Sequence, residues 1–303
     1  MPDNGHQAHI SAYLAQLATQ RRASPHTVSN YRRDLDKLSA LSMDLPLTDL
    51  ATHHIRRYVA QLHAGGLSAR SLGRLLSAWR GFFAWLLQHG AMTLNPCTGL
   101  HPPKAAKPLP KALSVDEAMR LLDAPLDDNQ DPALQARDRA MFELCYSAGL
   151  RLAELAALDC DVAAEAAREG EIRVVGKRQK ARILPVGDIA VTALSAWLPY
   201  RHSLAAADET ALFVNRRGQR LGMRSIQLRL AQFARQAGLV RHVHPHMLRH
   251  AFASHMLQSS GDLRAVQDLL GHASIASTQI YTHLDFQHLA QVYDQAHPRA
   301  KRD

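Results

Sequence analysis

The chain has 303 residues, 47% of them hydrophobic, and a formal net charge of +9, which suits one large or two medium domains with a sizeable core. No apolar run approaches the roughly 18 residues that a bilayer span needs, and the polar opening MPDNGHQAHI is not a signal peptide. Three scattered cysteines, Cys97, Cys145 and Cys160, read as reduced core thiols of a cytoplasmic protein and not as a disulfide frame or a zinc site. The charge points to a polyanionic partner, most often nucleic acid. Its distribution sharpens that expectation. Residues 1–111 carry thirteen Lys/Arg against five acids, and residues 173–249 carry fourteen against three. Two basic regions separated by an acidic one suggest two surfaces gripping one polymer.

The first hundred residues read as helices only. SPHTVSNYRRDLDKL opens with Ser24 as N-cap and Pro25 at the first helical position. THHIRRYVAQLHAGG takes Thr52 as its cap and stops at Gly65-Gly66. SARSLGRLLSAWRGFFAWLLQHG is a third strong helix, with Leu72, Leu75, Leu76, Trp79, Phe82, Phe83 and Leu86 on a broad apolar face. A stretch with five prolines and three lysines between residues 96 and 111 follows. Prolines at that density favour extended backbone and mark the best domain boundary.

After it, SVDEAMRLLDA starts a helix at Ser114, and ARDRAMFELCYSAGLRLAELAAL supplies one or two more. Two β-rich runs, Glu171–Val175 and Ala181–Val186, flank the polar turn GKRQK and signal a hairpin. Helices then resume. Phe286, Leu289, Val292 and Tyr293 stripe the last one.

The densest chemistry lies at HPHMLRHAFASHML, where four histidines and an arginine share fourteen positions. His246 and His250 have metal-binding helical spacing. Yet no Asp or Glu occurs between residues 210 and 261, and Arg249 beside a divalent ion is repulsive. A phosphodiester suits these groups better. Metal-free cleavage needs guanidinium and imidazole donors on the non-bridging oxygens, a nucleophile such as tyrosine, and a proton for the leaving alkoxide. His242, His244, His255 and His283 carry no such signal. Tyr281 differs from the other tyrosines in following a histidine, His272, by a polar loop.

SAGLRLAEL, VVGKRQKARILPV, HPHMLRHAFASHML and LLGHASIASTQIYTHL, in that order, resemble the tyrosine recombinase (phage-integrase-like) family over nearly the whole chain. The carboxy-terminal stretch YTHLDFQHLAQVYDQAHPRAKR resembles in particular the bacterial recombinases that resolve chromosome dimers. The resemblance implies a mainly α fold with a small β-hairpin. Residues 1–100 become a helical SAM-like core-binding domain, 101–111 a Pro/Lys linker, and 112–303 an α+β catalytic domain with a C-terminal interaction helix. It implies Arg151 and Arg249 as the phosphate-binding arginines, His246 and His272 as their histidine partners, and Tyr281 as nucleophile. Lys177 becomes the general acid, with Arg178 and Lys180 as competitors because the family's usual second glycine is Arg178 here. Glu154, three residues after Arg151, lies on the same helical face and is placed to hold it. The proton acceptor for Tyr281 stays open between histidines, His246 foremost. The resemblance further implies double-stranded DNA with a dif-like site, the sister recombinase XerD in a heterotetramer, and an FtsK-type DNA translocase. It implies no cofactor, metal, ATP or membrane. A phage or transposon integrase, a type IB topoisomerase-like enzyme, and a non-catalytic DNA-binding protein on the same fold are the competing readings. The last helix is expected to dock on a neighbouring protomer.

Overall fold

A computed structural model describes residues 4–19, 23–42, 45–103, 112–125, 130–176, 181–271 and 283–300, with the side chains of 4–6 and 283–288 outside the description. The chain forms two compact units, Met1–Pro108 and Leu109–Asp303.

The first unit holds four helices, α1 (Asn4–Thr19), α2 (Pro25–Leu41), α3 (Thr52–Ala64) and α4 (Ala69–Gln88). Ser24 and Ser68 cap α2 and α4 by accepting the backbone N–H groups of Thr27 and Ser71. Thr52 does not cap α3. It is the first helical residue, and the His54 ring accepts the Ala51 N–H instead, at 3.0 Å. The α4 stripe expected from the sequence is buried, and Leu75, Trp79, Phe82, Phe83 and Leu86 of that stripe join Ile10, Leu14, Leu35 and Leu38 in one core. Asp34 is buried where α2 meets α4. Arg74 pairs with its carboxylate, and the Trp79 indole donates to its carbonyl at 2.7 Å.

The second unit runs α5 (Val115–Leu122), α6 (Pro132–Ser147), α7 (Leu152–Ala157), α8 (Asp161–Glu169), β1 (Glu171–Val175), β2 (Ala181–Pro185), α9 (Asp188–Leu204), α10 (Met223–Gln236), α11 (Pro245–Ser260), α12 (Leu263–Leu270) and α13 (His283–Ala296). Ser114 and Glu117 close a capping box on α5. Asp131 caps α6 ahead of Pro132. The central helix α6 is buried on nearly every face and carries charge inside: Arg137 and Arg229 both reach the buried Asp138, tying α6 to α10. The expected hairpin forms as an antiparallel pair with Val174 opposite Arg182 and Ile172 opposite Leu184. Burial holds the Cys97 and Cys145 thiols up at about 12, so both stay protonated.

The last helix departs from expectation. Leu289, Tyr293 and Ala296 are buried in the core of their own unit, with Val292 packed against it. The Tyr293 hydroxyl shares a hydrogen bond with Ser147 at 2.6 Å, and Ser147 accepts the Gly187 N–H. Beyond the helix, Arg299 sends a guanidinium fork onto Glu143 and reaches Asp123. Within this chain the described part of the stripe packs on its own unit, with polar anchors at the end of α5, on α6 and at the β2–α9 turn.

Gly149 turns the chain from α6 into α7 at φ +58°, and a Cβ there would sit 2.5 Å from the Phe252 ring. Left-handed strain and overpacking together should cost Gly149→Ala roughly 2 to 4 kcal/mol. Urea denaturation of parent and variant measures this, and equal midpoints would show that Phe252 yields freely.

Candidate active site

Arg151 is the residue from which α7 departs, directly after the Gly149 turn. Its backbone N–H donates to one oxygen of Glu154 at 2.8 Å, and its Nη1 donates to the other at 2.8 Å. Glu154 thus reaches back one helical turn and fixes both the main chain and the side chain of Arg151.

A third group completes this carboxylate. Arg182, on β2, donates Nη1 and Nη2 to the two Glu154 oxygens at 2.8 and 2.9 Å. Each oxygen therefore accepts two donors. Burial works to raise the Glu154 carboxyl, but the hydrogen bonds from Arg182 and then from the Arg151 backbone outweigh it and hold the group down at about 2.

The three guanidinia then turn to one helix end. Arg151 Nη2 donates to the carbonyls of Leu270 and Gly271, each at 3.0 Å. Arg182 Nε points to the Leu269 carbonyl at 3.3 Å. Arg249, from the second turn of α11, donates to the Leu270 carbonyl and to Gly149 O, both at 2.5 Å. The C-terminus of α12 carries the negative end of its dipole and its orphan carbonyls, which is where cations bind best. Gly271, left-handed at φ 59°, ends the helix. Arg249 is only 5% exposed. Burial, and next the neighbouring Arg151 charge, lower its guanidinium to about 10, so it stays charged at neutral pH.

His246 lies three residues before Arg249 on α11 and is exposed. Its ring lies nearly parallel to His244, with centroids 6.4 Å apart. Burial, followed by the charges of His246 and His242, lowers the His244 imidazole. His255, set aside in the sequence, is a buried structural residue bonded to Tyr146 and the Leu113 carbonyl. The structure therefore brings Arg151, Glu154 and Arg249 together, with His246 on the same helix as Arg249. Lys177, its competitors Arg178 and Lys180, His272 and Tyr281 lie outside the described residues. So do the linker lysines Lys104, Lys107 and Lys111.

Sequence reasoning missed Arg182. The signal was present in the hairpin alternation: Arg182 shares the inward face with Leu184, opposite Val174. A charge on that face demands a partner. Three guanidinia and one carboxylate leave two net positive charges, with Arg182 and Arg249 buried and Arg151 part-exposed. Uncompensated guanidinium charge of this kind can attract an anion such as a phosphodiester.

A family model described as the phage integrase family matches residues 111–288, and one described as the phage integrase N-terminal SAM-like domain matches residues 10–90. The chain belongs to the phage integrase family. It is a tyrosine recombinase, an enzyme that cuts and rejoins DNA. Its sequence is 53% identical to the tyrosine recombinase XerC of Ralstonia pickettii, over 99% of this chain and 97% of that one. It is 53% identical to XerC of Pseudomonas aeruginosa, over 98% and 96% of the two chains. In fold it is similar to XerH site-specific recombinase in a post-cleavage complex with a palindromic difH substrate. That likeness has a TM-score of 0.70 and 23% identity, covering 97% of this chain and 89% of that one. The helical fold with its two-stranded hairpin agrees with this membership. No helix among the described residues is long and apolar enough to cross a membrane.

The depressed Glu154 carboxyl makes a signed prediction. A lowered pKa adds stability that is complete above the unfolded value, 4.5, and is lost as pH falls through the folded value, about 2. The stability gap between the parent and Glu154→Gln should be constant above about pH 5 and should narrow steadily below it. Denaturation midpoints across that range provide the check; a gap independent of pH would contradict the charged network.

Proposed function

We propose that this recombinase cleaves one DNA strand at a time through a 3′-phosphotyrosyl link formed by Tyr281. The observation that carries the reading is the convergence of Arg151 and Arg249, with Glu154, beside the helix end that leads into the Tyr281 segment. Arg151 and Arg249 hold the non-bridging oxygens of the scissile phosphate, with His246 and His272 as further donors. The Tyr281 hydroxyl attacks phosphorus and gives its proton to a histidine, His246 being best placed by its exposure three residues from Arg249. The bond to the 5′ oxygen breaks, and Lys177 protonates that oxygen. In rejoining, a 5′-hydroxyl from the partner strand attacks the phosphotyrosine and expels the tyrosine. One phosphoester bond is exchanged for another at each step, so the balance requires neither ATP nor a metal.

Residues 1–100 serve as the core-binding domain, 101–111 as linker and 112–303 as the catalytic domain, the basic residues of both domains facing double-stranded DNA. The likeness to XerC proteins and to a XerH–difH complex supports a dif-like site and chromosome-dimer resolution at cell division in the cytoplasm. A sister recombinase of the XerD kind in a heterotetramer and an FtsK-type translocase complete that reading.

A nicked suicide duplex carrying the terminus-region site of the source chromosome tests it. The parent should be trapped covalently on DNA. Tyr281→Phe should bind with near-normal affinity and trap nothing. Arg151→Ala and Arg249→Ala should each slow trapping by about 10²-fold or more, as for loss of one preorganised donor. Trapping by Tyr281→Phe would move the nucleophile elsewhere.

The general acid is isolated by a sulfur substitution at the bridging 5′ oxygen. A thiolate leaves without a proton, so this substrate should restore Lys177→Ala cleavage while leaving Arg249→Ala slow. Rescue of Lys180→Ala in place of Lys177→Ala would transfer the role to Lys180.

A further inference from the structure

Arg182 sits where a strand residue of this kind is expensive. It is 9% exposed, on the inward face of β2, opposite the buried Val174. An apolar side chain of the same volume would suit that face as well or better. What the guanidinium does there is specific. Both of its Nη atoms engage Glu154, and its Nε points to the Leu269 carbonyl. Its flat end also lies directly under Gly271. A Cβ on Gly271 would meet Arg182 Cδ at 3.1 Å, Nε at 3.2 Å and Cζ at 3.4 Å.

Every one of these contacts touches something that holds another part of the site. Glu154 holds the Arg151 side chain and backbone. Leu269 and Gly271 belong to the helix end on which Arg151 and Arg249 converge and from which His272 follows. Arg151, by contrast, keeps a 34% exposed side chain. It has room to meet a ligand, and Arg182 does not.

We propose that Arg182 is a positioning residue for strand cleavage. It locks Glu154 in the orientation that presents Arg151, and it props the Gly271 turn that sets the start of the His272–Tyr281 segment. Its fork is the means. Two parallel N–H donors fix both the place and the rotation of a carboxylate, whereas a lysine ammonium fixes neither. The charge matters as well. Without Arg182, burial at Glu154 loses its largest opponent, and the carboxyl takes a proton more readily. A protonated Glu154 releases its hold on Arg151.

The inference rests on the recombinase reading for its kinetic consequence but not for its geometry, and the experiment separates the two. The full-length chain is labelled with ¹⁵N-arginine, and the Nε–H resonances are followed in the parent, Arg182→Lys and Arg182→Gln without DNA. The Arg151 resonance should shift and exchange faster in both variants. The Arg137 resonance, from a guanidinium bound to Asp138, should stay in place. On the suicide duplex, Arg182→Lys should bind like the parent but cleave roughly 10- to 100-fold more slowly, the scale of a small misplacement of reacting groups. Cleavage by Arg182→Gln should fall as pH is lowered across a range where the parent is flat. The double variant Glu154→Gln/Arg182→Gln should be no slower than Glu154→Gln alone, because the two residues act as one unit. An unmoved Arg151 resonance, parental cleavage by Arg182→Lys, or multiplying losses in the double variant would each overturn the proposal. If the parent itself traps no DNA, the recombination chemistry fails, and the resonances still decide whether Arg182 positions Arg151.

Discussion

A single carboxylate, buried and accepting four donors, organises the second unit. Glu154 draws the Arg151 backbone into the start of α7, pulls the hairpin inward through Arg182, and leaves Arg151 and Arg249 to close on the end of α12. Removing one partner of such a cluster leaves a buried charge uncompensated, which costs far more than the cluster contributes over an apolar alternative. The network is therefore better understood as a device for geometry than as a source of stability. It fixes the Arg151 guanidinium in one orientation through hydrogen bonds within the protein.

The same economy runs through the rest of the molecule. Asp34 receives Arg74 between α2 and α4, Asp138 receives Arg137 and Arg229 between α6 and α10, and Glu143 receives Arg299 from the tail. Among the described residues, each of these buried acids is matched by arginine, whose forked donors suit a carboxylate between two elements. A chain with so many arginines spends part of them inside. Because these arginines are matched by acids, placing them inside leaves the excess positive charge nearly as the composition gives it.

Much of this was legible from sequence. The three strong helices of the first unit, the hairpin and the helix starts at Ser24 and Ser114 follow from periodicity and caps, because those signals are local. The α3 cap differs because the helix starts one residue earlier: Thr52 is already helical, and the N-cap backbone N–H, that of Ala51, is accepted by the His54 ring. Motif order singles out Arg151, Glu154 and Arg249, yet the contacts that bring the two arginines to one helix end, such as Arg151 on the Gly271 carbonyl, span up to 120 residues of sequence and leave no periodic trace. Arg182 was missed for a related reason. Its strand is read as β by its neighbours, and nothing local says which side an arginine faces. The docking of α13 escaped because an amphipathic stripe states that a surface will be buried, not whose surface covers it.

The anchoring of α13 has a mechanical consequence for the residue that precedes it. Tyr281 stands two positions before the first residue of that helix and ten after Gly271. Two extended residues reach about 7 Å, whereas ten reach about 35 Å. By chain length alone, the tyrosine is bounded far more closely by the start of α13 than by the end of α12. Where that helix is moored therefore bounds where the tyrosine can lie. Tyr293 on Ser147 and Arg299 on Glu143 are the moorings, and a slip of one helical turn there, about 5.4 Å, would shift that bound by most of its own reach.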